Sequence, residues 1–309
     1  MSSAPLLEIH VPISPTPVFF TRIHYLAASM QVYGGPLKDA ALIVTVGEDA
    51  EPEDLYAKLP WSRSYPIEWR WMERDLYRRH TYFGTRVQRF TYEFKAQHVM
   101  MLDADVLAVA PFMDLIEDVA RKDAFLGSPA HASPVSGPFT WEALFEGAGL
   151  RSVPYVCEHT GFGVMYDDPA RRYCPPYFNL GVLVAPARHM KQIGQTIFDE
   201  LAVAARMPGI FRAQPAVTLA ICRHGIPWGL MPLKYNFPND NRFAVRYPHD
   251  FSDMRLLHFL RKGQIDKDVA FQTPQSVYWL FQKERLDGVN AKFLETLRPV
   301  HEHVLAHTA

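Results

Sequence analysis

The chain has 309 residues, 48% of them hydrophobic and 21% charged, enough to bury a sizeable core as one large α/β domain or two small ones. Its 32 basic and 33 acidic side chains leave a net charge of −1, which excludes a whole-molecule field for nucleic acid or anionic lipid. Cys157, Cys174 and Cys222, an odd count with no CxxC pair, argue against a disulfide framework or zinc knuckle; three buried thiols in a reducing compartment are expected, with the cytoplasm as the default location. The proline-interrupted segment from Met1 to Pro17 does not resemble a signal peptide, and no stretch reaches the roughly 18–20 apolar residues of a membrane span.

Leu6 to Val11 reads as a first strand, closed by a loop from Pro12 to Pro17 whose Ile13 and Ser14 form a rigid edge suited to a nucleoside base. Thr21 to Val32 has helical spacing through Ile23, Leu26, Ala27 and Met30, and stops at Gly34-Gly35. Ala40 to Val46 is a continuous apolar run, as in a strand covered on both faces. Arg74 to Lys95 reads as a long charged helix, and His98 to Leu102 as a second buried strand running into Asp103. This alternation predicts a doubly wound α/β sheet. From Ser128 to Pro176 the chain turns rich in Pro, Gly and aromatic residues, as expected of an irregular, substrate-facing half. Phe178 to Ala185 reads as another strand, Met190 to Ala205 as a helix, and Val289, Phe293, Leu297, Val300 and Val304 as the core-packed face of a C-terminal helix.

The chemistry concentrates at Asp103-Ala104-Asp105. Residues two apart on an extended chain point the same way, and these lie at the C-terminal end of a predicted central strand, where open α/β sheets bind ligands. Two carboxylates with room for water and phosphate oxygens suit Mg²⁺ or Mn²⁺. With 18 aspartates in the chain, chance supplies roughly one D-x-D match. Asp266-Lys267-Asp268 is a second match, read as a solvated loop. The apolar strand before Asp103 distinguishes the first pair, because carboxylates there need a cation or hydrogen bonds. Loop-capping aspartates are the competing reading.

The order of motifs resembles the GT-A nucleotide-sugar transferases, especially glycosyltransferase family 8. An arginine-bearing helix (Tyr82-Phe83-Gly84-Thr85-Arg86-Val87-Gln88-Arg89-Phe90) precedes the strand that ends in D-x-D. Phe178-Asn179-Leu180-Gly181-Val182 matches the family's F-N-x-G-V, Ala213-Gln214 its D-Q, Met231-Pro232-Leu233-Lys234-Tyr235-Asn236 its L-P-x-x-Y-N, and Leu256-Leu257-His258-Phe259 its strand ending in histidine. The similarity covers about residues 6–265. It implies a single GT-A domain over 1–309, a mixed and mostly parallel sheet flanked by helices, with a nucleotide-sugar half at about 6–125, an acceptor-side half at 126–272 and C-terminal helices at 273–309. It also implies that Asp103, Asp105 and His258 bind Mn²⁺ or Mg²⁺, that Ala104 and Arg86 contact the donor, and that Asn179 and Gln214 serve the catalytic centre. The implied reaction moves a hexosyl group from a nucleotide-diphosphate sugar, with UDP favoured, to a carbohydrate, protein or lipid-linked acceptor with retention. The chain departs from the family in two places. The Asp before Gln is Ala213, and the ending H-x-x-G-x-x-K is not kept, so that Arg261 or Lys262 is the expected phosphate cation.

Single residues carry bland alternatives. His258 could be a hydrogen-bonded core histidine, Arg86 could pair with Glu93, and Lys234 could be a solvated lysine. Phe139, Trp141, Tyr155 and the aromatics from Tyr173 to Phe178 could cover sugar faces or pack in the core. Among Glu158, His159, Asp167 and Asp168 none stands out as a general base. Three rival functions share parts of the pattern: a haloacid-dehalogenase-type phosphohydrolase, a sugar nucleotidyltransferase of similar fold, against which the lack of a Gly-rich, Arg- and Lys-bearing N-terminal loop argues, and a non-catalytic nucleotide-sugar-binding protein, which Ala213 keeps open.

Overall fold

The computed structural model describes residues 4–130, 140–158, 173–207, 212–260, 264–283, 286 and 288–307. Twelve strands occur among them: β1 (Leu7–Ile13), β2 (Ala41–Val46), β3 (Ile67–Trp71), β4 (His98–Leu102), β5 (Val106–Ala108), β6 (Phe125–Pro129), β7 (Cys157–Glu158), β8 (Tyr173–Cys174), β9 (Phe178–Pro186), β10 (Trp228–Leu230), β11 (Phe237–Pro238) and β12 (Leu256–His258). Seven form one sheet in the order β10-β6-β9-β4-β1-β2-β3. Every pairing in it is parallel except those of β9, which runs antiparallel to both β4 and β6. A small sheet, β11-β12-β5, stands beside it, and β7 pairs only with β8.

The continuous apolar run of β4 is explained by cover on both faces. Met100 and Leu102 join the core that contains β1 and β2, whereas Val99 and Met101 join a second core on the opposite face. Helices α1 (Pro17–Tyr33), α2 (Arg74–Gln88), α3 (Met113–Lys122), α4 (Ala187–Ala204), α5 (Ala213–His224) and α6 (Gly288–Ala306) flank the sheet. The first core takes in residues of α1, α3 and α6, and the second residues of α4 and α5. Helix α1 starts four residues before the predicted Thr21, with Pro17 in its first turn, where a missing N–H costs nothing. Helix α2 ends at Gln88, short of the predicted Lys95, and is broken at Thr81 (φ 55°, ψ −154°), a left-handed value unusual for a β-branched residue. Strand β3 escapes hydrophobic patterning because it is an edge strand, with Glu68 and Arg70 paired at 2.7 Å.

The C-terminal helix packs as expected: Val289, Phe293, Leu297, Val300 and Val304 are fully buried. Its other side chains clamp α1, with Tyr25 Oη 2.5 Å from His301 Nδ1 and Tyr33 Oη donating to Thr296 O. Behind them His24 stacks flat on Trp61, ring centroids 4.0 Å apart. Burial, aided by the nearby His303 and His307, pulls the His24 imidazole down to about 3. Between that value and the ordinary histidine value near 6.5, the unfolded chain binds a proton that the folded chain refuses. Stability contributed at this position is therefore present above pH 6.5 and lost as pH falls toward 3. Replacing His24 with Phe is expected to flatten the acid limb of stability against pH in urea titrations between pH 4 and 7. An unchanged slope would refute this assignment.

Candidate metal centre and adjoining cleft

Strand β4 ends at Leu102, where the Asp103 amide donates to Gly181 O of β9 at 3.0 Å. A tight turn follows, closed by Val106 N to Asp103 O, and β5 then pairs antiparallel with β12 so that His258 faces Val106. Phe259 N donates to Asp105 O at 2.9 Å and holds the register. Ligand atoms of Asp103, Asp105 and His258 come within 4.8 Å of one another. The two carboxylates converge because of this turn and the second sheet, not because of the alternation of an extended strand, which ends before them.

His258 is oriented by a chain of amides. Asn179 Oδ1 accepts from Gly181 N at 2.8 Å and from Asn236 Nδ2 at 3.2 Å, which leaves Asn236 Oδ1 to face His258 Nδ1 at 3.0 Å. Nδ1 then donates to Asn236, and Nε2 faces Asp105 Oδ1, 3.2 Å away. Two acceptors at that distance need a proton or a metal ion between them. An imidazole and two carboxylates, with the ring fixed by an outer amide, fit a divalent first-row ion. Gly181 is required for this approach: a Cβ there would lie 2.2 Å from His258 Cε1 and 2.7 Å from Asn179 Oδ1.

Cations surround the acids. Arg86 Nη2 is 3.2 Å from Asp103 Oδ2, so its partner is Asp103 and not Glu93. Arg89 is wholly buried beneath it. Its guanidinium donates to Arg86 O, Leu102 O, His10 O and Leu180 O and lies 4.0 Å from Asp103 Oδ1. Burial lowers Arg89 to about 10, a shift that Asp103 opposes, and it stays charged at neutral pH. Burial pushes the Asp105 carboxyl up, but His258 and Lys267 outweigh it and hold Asp105 well below the usual carboxylate range.

Lys267 overturns an expectation. Asp266-Lys267-Asp268 is not a merely solvated loop: Asp266 caps the short helix Lys267–Ala270, Lys267 Nζ contacts Asp105 Oδ2, and Asp268 pairs with the buried Arg22 at 2.6 Å. The expected cations Arg261 and Lys262 lie outside the described residues, as do His159, Asp167, Asp168 and Phe139. Lys267 stands nine positions after His258, against six in H-x-x-G-x-x-K, so a fixed-spacing motif overlooks it. Arg22 was hidden inside the apolar pattern of α1; only its conflict with that pattern marks it.

One cleft collects Ile13, Ser14, Arg86, Asp103, Ala104 and Asp105, together with Arg22, Lys267, Phe19 and Tyr82. Asn179 adjoins it through the amide chain to His258. Gln214 stands apart from that chain; its Oε1 accepts from Tyr177 Oη at 2.6 Å. Ala213 is buried in the apolar core. Lys234 is neither solvated nor turned to the cleft, but paired with Asp253 at 2.8 Å and Asp114 at 3.2 Å. Of the candidate sugar-covering aromatics, Trp141, Tyr177 and Phe178 are core residues, whereas Tyr155 and Tyr173 are exposed.

Gly181→Ala is expected to displace the imidazole and weaken Mn²⁺ binding about 10- to 100-fold, read by calorimetric titration, with melting largely retained; undiminished affinity would show that His258 is not a ligand. Arg89→Met strands buried carbonyls and is expected to cost about 3–5 kcal/mol in urea unfolding. A loss below about 1 kcal/mol would show that the guanidinium does not tie the strands together.

No family profile matches the sequence, and no curated protein is similar to it at the sequence level. Similarity appears in the fold. The apo bifunctional glycosyltransferase WbbM superposes with a TM-score of 0.55 at 11% identity over 92% of this chain, which spans about half (53%) of that protein. Galactosyltransferase LgtC, in complex with donor and acceptor sugar analogues, gives 0.54 at 13% identity over 91% of this chain and 97% of its own. The apo glycosyltransferase GlyE of Streptococcus pneumoniae TIGR4 gives 0.52 at 11% identity over 95% of this chain and 64% of its own. With its mostly parallel sheet, its one antiparallel strand and the carboxylate turn at the end of β4, this chain has the GT-A glycosyltransferase fold.

Proposed function

We propose that the protein is a metal-dependent glycosyltransferase that moves a hexosyl group from a nucleotide-diphosphate sugar, UDP-linked by preference, to an acceptor hydroxyl. The observation that carries this reading is the convergence of Asp103, Asp105 and the buried His258 at the floor of a cleft that Asp103 and Asp105 line together with Arg22, Arg86 and Lys267. A Mn²⁺ or Mg²⁺ ion bound there would neutralise charge growing on the departing diphosphate. Arg86 and Lys267 supply charge-assisted hydrogen bonds to the same oxygens, and Lys267 turns from Asp105 to phosphate when the donor enters. Arg22 adds a buried guanidinium whose Nε has no hydrogen-bond partner among the described residues. The Pro12 to Ser14 edge receives the base, and Asn179, whose oxygen is taken by Gly181 N and Asn236 Nδ2, serves the centre by positioning His258. Transfer is retaining: the leaving diphosphate oxygen takes the proton of the attacking hydroxyl. Residues from about 6 to 125 hold the donor, and the half from 126 to 272 the acceptor.

Ala213 favours a second reading, a nucleotide-sugar-binding protein without turnover, because no polar group replaces the family carboxylate at that buried position. The decisive measurement is a thermal-shift screen of nucleotide sugars with and without Mn²⁺, followed by release of nucleoside diphosphate. A rise of a few degrees with one donor, lost in EDTA and in Asp105→Ala, is expected, with slow donor hydrolysis by the wild type. Lys267→Ala is expected to weaken the donor about 10- to 100-fold. Binding without hydrolysis or transfer would select the second reading, and full Mn²⁺-dependent activity in Asp105→Ala would overturn the metal assignment.

A further inference from the structure

The three cysteines are not the separate buried thiols that their spacing suggests. Cys222 is half-buried in α5, whereas Cys157 and Cys174 are both about 1% exposed and face each other in register across β7 and β8. Residues opposed in an antiparallel pair have Cα atoms roughly 4.5–5.5 Å apart, within the span a disulfide bridges. The Cys174 thiol hydrogen-bonds the Cys157 thiol and lies 3.4 Å from Cys157 O, in an apolar pocket with Trp141, Phe145 and Tyr177. We propose that Cys157 and Cys174 form a disulfide, a modification site that closes a loop of 16 intervening residues, 158 to 173.

Access comes from the weakness of the hairpin. Each strand has two residues, the pair makes no hydrogen-bonded contact with the main sheet among the described residues, and Tyr155, Val156 and Tyr173 are exposed. Such a unit opens locally at little cost and exposes both sulfurs. The thiol–thiol hydrogen bond and burial hold the Cys174 thiol above its ordinary range, so attack proceeds from the opened form, where a thiolate is available. With glutathione disulfide as oxidant, one cysteine thiolate displaces a glutathione thiolate and forms a mixed disulfide. The second cysteine thiolate attacks the protein sulfur and releases the other glutathione thiolate. Two electrons pass to glutathione disulfide, two protein thiols each lose a proton, and two glutathione molecules result.

The position of the bond gives it reach. Cys174 lies five residues before Asn179, and the link between them is anchored by Ala130 N to Tyr177 O at 3.0 Å. Fixing β8 therefore braces the entry to β9, the strand that carries Asn179 and Gly181. The test uses the full-length folded protein equilibrated with glutathione disulfide, with thiols then counted in guanidinium. The expected count falls from three to one and is restored by dithiothreitol. Peptide mapping without reductant links the Cys157 and Cys174 peptides, and melting of the oxidised form rises by several degrees. Cys157→Ser is expected to lose both the crosslink and the rise. Three thiols remaining, stable glutathione adducts in place of the crosslink, or a bond that involves Cys222 would each overturn the assignment. The wild-type count decides even if the variant folds poorly.

Discussion

The site depends on one buried cation. Arg89 places a guanidinium where β1, β4 and β9 lie side by side, and it is wholly buried there. Its donors take up carbonyl oxygens of His10, Leu102 and Leu180, one from each strand, and a fourth from the end of α2. A charge in that position is costly unless every direction is answered. The answer is made mostly of backbone dipoles, with Asp103 at 4.0 Å as the nearest anion. Geometry follows from this: the carbonyl of Leu102 is held just before the chain turns, so Asp103 leaves the sheet at a fixed point. The helix that carries Arg86 is fixed to the same point.

Above that anchor the cleft balances charge before any ligand arrives. Arg86 meets Asp103, Lys267 meets Asp105, and Arg22 meets Asp268. With Arg89 beneath Asp103 as a fourth cation, the carboxylates of Asp103, Asp105 and Asp268 are each answered by a positive side chain.

Much of the frame was legible because buried strands and helices write their covering into apolar spacing. β4 matches its predicted bounds, and β9 and the C-terminal helix differ from theirs by one or two residues. β3 was illegible because an edge strand tolerates Glu68 and Arg70, and the end of α2 because Arg89 leaves the helix for tertiary reasons that no local propensity encodes. At the site, Asp103, Asp105 and His258 are adjacent to strand ends and could be named from the sequence, as could Arg86. Arg22 and Lys267 could not. One sits amid the apolar residues of α1, and the other follows a stretch whose length differs from the spacing sought. A D-x-D triplet near chance frequency becomes informative only through β12, because β5 and β12 together bring a histidine to the same few ångströms.

The motif F-N-x-G-V can now be restated as physics. Asn179 turns its oxygen back to the Gly181 amide, and so has a second lone pair ready for Asn236. Gly181 has no side chain, and so lets the His258 ring lie against the backbone. The valine after it is a fully buried sheet residue paired with Leu102, the last residue before the carboxylates. Position by position, the motif sets an acceptor, a gap and an anchor, and each acts on the imidazole or the turn that faces it. Substituting any one of them is expected to move His258 or Asp103. That is why a short, individually weak pattern on one strand can specify a cluster whose acids and histidine belong to other elements.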